Sequence, residues 1–300
     1  MNNKILEHYL QFSIYTNPGL YKENLISELP DDIRQIGLLV RKSLIHRSTL
    51  RDGNTGTNED QRFGDMNRVP WWRQCEDDIL VTAASMLAEL YNRDERGFTL
   101  DRKSEDKLVL TCRFTTILID SILKSKSIPT RSRAGHAGYF TEDISGGLSW
   151  DHWINQYWNK EENRWINIDV DGSLSLGEKF DPYDIPEGSF DFPADIWLNI
   201  RSGKESPDRF ANGDGTKGAI VVIWSLFYDF HCLMNNEIIY MQQPKAGYGR
   251  LDRFEKLTKE ELDKIDNLAQ LMKDPDENFE QLKKIWENDK EFRLLEGGLL

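Results

Sequence analysis

Three residues of this chain have the types and the order of a thiol-dependent acyl-transfer site: Cys112, His152 and Asp169. A thiolate attacks an acyl carbon, an imidazole holds and returns the proton, and a carboxylate fixes the imidazole's orientation and tautomer. Each residue also has an ordinary alternative role. A free cysteine is more often a small buried hydrophobe. His152, in SWDHWINQYW, stands among tryptophans as a packing histidine would, and Asp169, followed by Asp171 and Gly172, suits a turn. The DVDG run lacks the later ligands of a calcium loop. Cys112, His136, His152 and His231 lack the close spacing of a zinc site, so neither a metal nor another cofactor is expected.

The surrounding pattern sets out the elements that must position these groups. Cys112 follows the polar segment DRKSEDK and opens an apolar-periodic run of Phe114, Ile117, Leu118 and Ile122, which predicts a helix. At the head of a helix, unpaired backbone N–H groups and the dipole favour a thiolate, and Arg113 adds positive charge. Ser127-Ile128-Pro129 stops the helix before an extended run over 130–140. Two strands follow, over 150–158 and 164–170, joined by a turn at 159–163 as a hairpin. Alternation places His152, Ile154, Gln156 and Trp158 on one face, and Trp165, Asn167 and Asp169 on one face. His152 and Asp169 can therefore meet on neighbouring strands.

Ahead of Cys112, Ile33, Ile36, Val40 and Leu44 form one helical stripe and Ile79, Leu80, Ala83, Leu87 and Leu90 another. Between them the polar stretch 47–70 reads as a long loop and a candidate lid. Beyond Gly172 a short helix is expected over 193–201. The apolar segment 219–230 suits helix or strand. Thr258 and Glu261 form a capping box for a helix carrying Leu262, Ile265, Leu268 and Met272, which Asp274-Pro275 ends. Phe279, Leu282, Ile285 and Trp286 predict a last helix.

Composition narrows the class. A chain of 300 residues with 39% hydrophobic content can bury a sizeable core. A net charge of −13, without clustered Lys and Arg, argues against a nucleic-acid partner. No apolar run reaches the roughly 18 residues of a membrane span. Cys75, Cys112 and Cys232 are odd in number and widely spaced, which fits reduced thiols. With no export signal in MNNKILEHYLQFS, a cytoplasmic location is the expectation.

The wording CRFTTILIDSILKSKSIPTRSRAGH, then SWDHWINQYW, then RWINIDVDG resembles the transglutaminase-like superfamily of cysteine enzymes, which share a papain-like triad. The openings HYLQFSIYTNPGLY and ELPDDIRQIGLLVRKSLIH are similar to bacterial proteins carrying that domain. The resemblance implies Cys112 as nucleophile, His152 as general base and Asp169 as orienting acid. It matches Ile128-Pro129-Thr130-Arg131 to the family's turn and Gly138-Tyr139 to its strand end. It also implies an oxyanion site of the Cys112 backbone N–H and an upstream donor, for which Trp72 and Gln74 are candidates. The implied fold is α+β, with a papain-like core over 71–230 whose catalytic helix packs on an antiparallel sheet. Helical extensions over 1–70 and 231–300 would elaborate it. The implied activity is acyl transfer from a peptide or amide substrate, hydrolysis ahead of transamidation. One departure is visible: the family's Gly before its cysteine is replaced here by Leu110-Thr111. It leaves a second expectation open, a fold kept for binding or scaffolding after its chemistry has lapsed.

Overall fold

The computed structural model describes residues 3–50, 68–140, 147–173, 179–240, 242–247 and 256–294, and the fold is α+β. Seven strands are described: β1 (Leu44–His46), β2 (Leu108–Leu110), β3 (Thr130–Ala137), β4 (Ser149–Asn159), β5 (Arg164–Ile168), β6 (Phe190–Asp191) and β7 (Phe210–Ala211). A five-stranded sheet has the order β5-β4-β3-β6, with β7 on β4, and β1 pairs with β2 in a separate two-stranded sheet. The expected antiparallel sheet is present in the β3–β6 and β4–β5 pairs, with β7 added parallel to β4; the separate β1–β2 pair is parallel. The chain divides into two compact units, each taken by itself below.

The first unit comprises Met1–Ser132 and Ile154–Pro186. It contains α1 (Asn3–Leu10), α2 (Lys22–Ser27), α3 (Ile33–Ser43), α4 (Glu76–Ile79), α5 (Ala83–Arg93) and α6 (Cys112–Ser125). Every residue of α6 is buried, and α2, α3 and α5 pack on it. Its end has a physical cause: Ser127 takes φ 61°, and the Ile128 N–H reaches back to the Leu123 carbonyl at 2.9 Å. That left-handed residue with a six-to-one bond is the Schellman stop.

Two expected helices are corrected at their ends. Leu44 leaves α3 and enters β1, because Leu44-Ile45-His46 gains a ladder with Leu108-Val109-Leu110. The single helix expected over 79–90 is two. The Thr82 side chain accepts from the Ser85 N–H and starts α5 afresh, which leaves Ile79 at 68% exposure on α4 rather than on a core face.

In the same unit the expected hairpin forms, β4 pairing with β5 from Asn155↔Ile168 to Asn159↔Arg164, with Asn163 at φ 53° in its turn. A buried carboxylate ties α6 to these strands. Asp120 accepts from Ser132 Oγ at 2.7 Å, Thr130 Oγ1 at 3.1 Å and Asn155 Nδ2 at 2.7 Å. Arg131, in the Ile-Pro-Thr-Arg turn, lies over the rings of Tyr9 and Trp165 at 4.8 and 4.3 Å, and its Nε donates to Gln156 Oε1 at 2.7 Å. The turn residues thus fix the hairpin to α1.

The second unit comprises Arg133–Trp153 and Glu187–Leu300. Here β3 pairs with β6 through His136↔Asp191, and β4 with β7 through Ser149↔Phe210. Its helices are α7 (Pro193–Arg201), α8 (Ala219–Leu233), α9 (Lys259–Met272) and α10 (Phe279–Asn288). The apolar segment at 219–230 is therefore a helix, apolar on most sides because it is buried on most sides. A buried ion pair fixes it: Arg133 Nε and Nη2 reach the Asp229 carboxylate at 2.7 and 2.8 Å. The Thr258–Glu261 capping box opens α9 as expected, and Trp197 Nε1 on α7 donates to Asp266 on α9 at 2.7 Å. Among the described residues no helix is long and apolar enough to cross a membrane.

Replacing Asp120 by Ala removes the carboxylate that three buried donors share, leaving Thr130 Oγ1 and Asn155 Nδ2 only their second acceptors, the Gln156 and Thr116 carbonyls. The loss is expected to be about 2–4 kcal/mol, read from urea unfolding, with Asp120→Asn less damaging because one acceptor oxygen remains. An Asp120→Ala protein as stable as the parent would show that these bonds do not hold α6.

Candidate active site

The thiol is positioned by the strand that precedes it. β2 has only three residues, all buried, and its hold on the fold comes largely from charge. The Val109 N–H donates to Glu76 Oε2 at 2.8 Å. Glu76 is gripped in turn by Arg73 Nε at 2.5 Å and Arg93 Nη2 at 2.8 Å. Both arginines also take carbonyls from the run into β2: Arg73 those of Glu105 and Lys107, and Arg93 that of Lys107. Burial pushes the Glu76 carboxyl above its ordinary value, and the Val109 N–H and Arg73 oppose that shift.

Cys112 is the first residue of α6, buried at 6% exposure. Thr111 before it has φ −108° and ψ 178°, an extended conformation open to any L-residue, and its carbonyl accepts from the Phe114 N–H at 3.1 Å. The Leu110-Thr111 approach therefore needs none of glycine's freedom. Arg113, next in sequence, is fully buried, with its guanidinium over the Tyr15 and Phe114 rings at 5.0 and 4.9 Å.

His46, which no local pattern singles out, comes close to this segment. β1 and β2 pair in register His46↔Leu110, which brings His46 to the end of the strand that delivers Cys112. Cys112 lies within electrostatic reach of the His46 ring and favours its protonated form. His46 Nε2 is 3.7 Å from Asp171 Oδ2, while Nδ1 lies 2.6 Å from Ser48 Oγ and accepts the Ser48 N–H at 3.2 Å. Asp171 is itself anchored. Its carbonyl accepts from Arg41 Nε at 2.8 Å, and its carboxylate faces Thr115 Oγ1 on α6 at 3.5 Å. Burial lowers the His46 pKa, yet the Asp171 charge and the Cys112 interaction outweigh it, with Arg41 opposing them, so the ring titrates above its ordinary 6.5.

The other expected residues are placed as follows. Asp169 is buried in the first unit, one residue past the last β4–β5 pair. Its N–H donates to the Pro182 carbonyl at 2.8 Å, and its Oδ1 accepts the Gly172 N–H at 2.7 Å, so it shapes the turn that presents Asp171. His152 belongs to the second unit, 3% exposed, with ring contacts to Tyr139 at 6.4 Å and Phe140 at 5.0 Å. Within the first unit the register pairs Gln156 with Asn167 and Trp158 with Trp165, so these four side chains share one face of the hairpin.

Of the oxyanion candidates, Trp72 is 61% exposed, and the Gln74 amide donates to the Leu50 carbonyl. Cys75 is exposed and Cys232 buried. The candidate lid falls mostly outside the described residues; its described ends are Arg47–Leu50, a 3-10 turn, and 68–70, where Val69 is buried with Ile45, Leu50 and Val109. Among the described residues no group of three or more His, Cys, Asp or Glu side chains is arranged to hold a metal ion.

His46 was hidden for a definite reason. Three-residue strands carry no readable period, and the pairing that brings His46 to Cys112 joins segments far apart in sequence. The one available signal was a histidine closing the apolar run Leu44-Ile45. Comparison of the chain with protein-family models, with curated proteins and with solved structures gave no match.

Two outcomes are expected from this geometry. Glu76→Ala removes the carboxylate that Arg73 and Arg93 share and the acceptor of the Val109 N–H, and should cost about 3–5 kcal/mol in urea unfolding. Because the folded-state pKa of His46 is raised, its pairing stabilises the fold fully below pH 6.5 and less as pH rises through the raised value. The stability difference between the parent and Asp171→Asn should shrink over that rise, and a difference that grows with pH would contradict the assignment.

Proposed function

We propose that this chain is a cysteine hydrolase or acyltransferase of transglutaminase-like type, with a papain-like core, acting on an amide or peptide bond through a Cys112 thioester. The observation that carries the reading is the place of Cys112 as first residue of the buried helix α6, followed in chain order by β3 and the β4–β5 hairpin. That is the order the resemblance requires. The unstrained Thr111 approach supports it further, since the departure from the family's glycine then costs the backbone nothing.

In this reading His152 takes the Cys112 thiol proton, the sulfur bonds to the substrate carbonyl carbon, and the oxygen takes up negative charge against the Cys112 N–H at the head of α6. The C–N bond breaks as the amine leaves with the proton held by His152. Water, or an amine in transamidation, gives a proton to His152 and bonds to the thioester carbon; the C–S bond breaks, releasing the acid or the new amide, and His152 returns the proton to the sulfur. Asp169 holds the imidazole's tautomer, as the resemblance assigns it.

Iodoacetamide labelling at about pH 6, with the modified cysteine mapped, tests the thiol, and hydrolysis of a panel of peptides and isopeptides tests the reaction. Selective labelling of Cys112 is expected. Cys112→Ala should abolish turnover, and His152→Ala should lower it by roughly a thousandfold or more and slow the labelling. Labelling no faster than that of a free thiol, without turnover of any panel member, would leave only a binding or scaffolding protein.

A further inference from the structure

The chemistry above uses one imidazole, and the β1–β2 register brings another, His46, opposite Leu110, two residues before Cys112, where the two groups interact electrostatically. We propose that His46 is a fixed hydrogen-bond donor to the Cys112 sulfur, presenting Nε2–H to hold the thiolate in the resting protein, and that it is not the base that takes the proton. The inference rests on reading Cys112 as the nucleophile, and it adds a residue that the resemblance does not supply.

The tautomer carries the argument. The Ser48 backbone N–H has a hydrogen to give and no lone pair to accept with, so the nitrogen it meets, Nδ1, must offer a lone pair. The neutral ring then keeps its hydrogen on Nε2. When the ring takes a second proton on Nδ1, the Ser48 hydroxyl at 2.6 Å can turn to accept it. Nε2 carries a hydrogen in both charge states. A nitrogen that already holds its hydrogen cannot receive the thiol's proton, but it can donate to a thiolate.

The carboxylate opposite sets the direction of that donation. Asp171 Oδ2 lies 3.7 Å from Nε2, close enough for charge to act and too far for a hydrogen bond. The N–H is therefore left for the sulfur, while the Asp171 charge favours the imidazolium. The other charged groups around the ring are Arg41, which opposes protonation, and Asp77, which is paired with Arg47 at 2.7 Å and interacts with His46. The raised His46 pKa agrees with this balance. Asp171 does not drift, because Arg41 from α3 and Thr115 from α6 both hold it.

The experiment is the pH profile of Cys112 alkylation by iodoacetamide in a Cys75→Ser background, which removes the exposed thiol. His46→Ala should move the midpoint up by about one pH unit, a roughly tenfold slower rate near pH 6. His46→Gln, which can still donate, should recover part of the shift, and Asp171→Asn should fall between. An unmoved midpoint in folded His46→Ala overturns the proposal, as does a Gln variant no better than Ala. If His46→Ala fails to fold, NMR titration of His46 in the parent and in Cys112→Ala decides by reciprocity. Loss of the thiolate should lower the His46 pKa, and an unchanged value overturns the proposal. Failures of the two readings are distinguishable. A shifted profile without turnover of any amide supports this donor while removing the proposed activity, and turnover with an unshifted profile removes the donor alone.

Discussion

The carboxylate of Glu76 is the point on which the surroundings of the thiol depend. β2 is too short to hold itself by backbone pairing, and a buried carboxylate is tolerable only when paired and hydrogen-bonded. The two needs meet in one cluster, in which Glu76 takes the Val109 N–H and the charges of Arg73 and Arg93. The same arginines bind the carbonyls of the chain entering β2. With β2 fixed, β1 has a partner, and His46 and Cys112 arrive together at the ends of neighbouring segments.

The first unit repeats this device of a buried charge serving as a joint between elements. Asp120 joins α6 to β3 and β4 through neutral donors, and Arg131 joins the hairpin to α1 through aromatic faces. In each case a group that would be costly alone is satisfied by partners from segments distant in sequence. The second unit does the same with Arg133 and Asp229. These charges give the fold its register where short strands give little.

What was legible in the sequence follows the same division. The long periodic segments could be read: α6 from Phe114, Ile117, Leu118 and Ile122, the hairpin from its turn and alternation, and α9 from its capping box. Elements decided by a few residues could not. Thr82 restarts a helix that hydrophobic spacing ran together, and Leu44 changes from helix to strand for a partner that lies beyond any local window. The candidate site divides likewise. Cys112 as the opening residue of a helix was visible from its place before a periodic run. His46 depended on a three-residue parallel pairing that no periodicity announces.

That pairing has a consequence for the order in which the molecule acquires its properties. Helix α6 is local and can form early, whereas β1 and β2 must close a long loop before their contacts repay the lost chain entropy. Loop-closure entropy alone thus favours α6 forming ahead of the strand pair that sets His46 opposite Leu110. In a chain still folding, Cys112 would have its helix before His46 has its place.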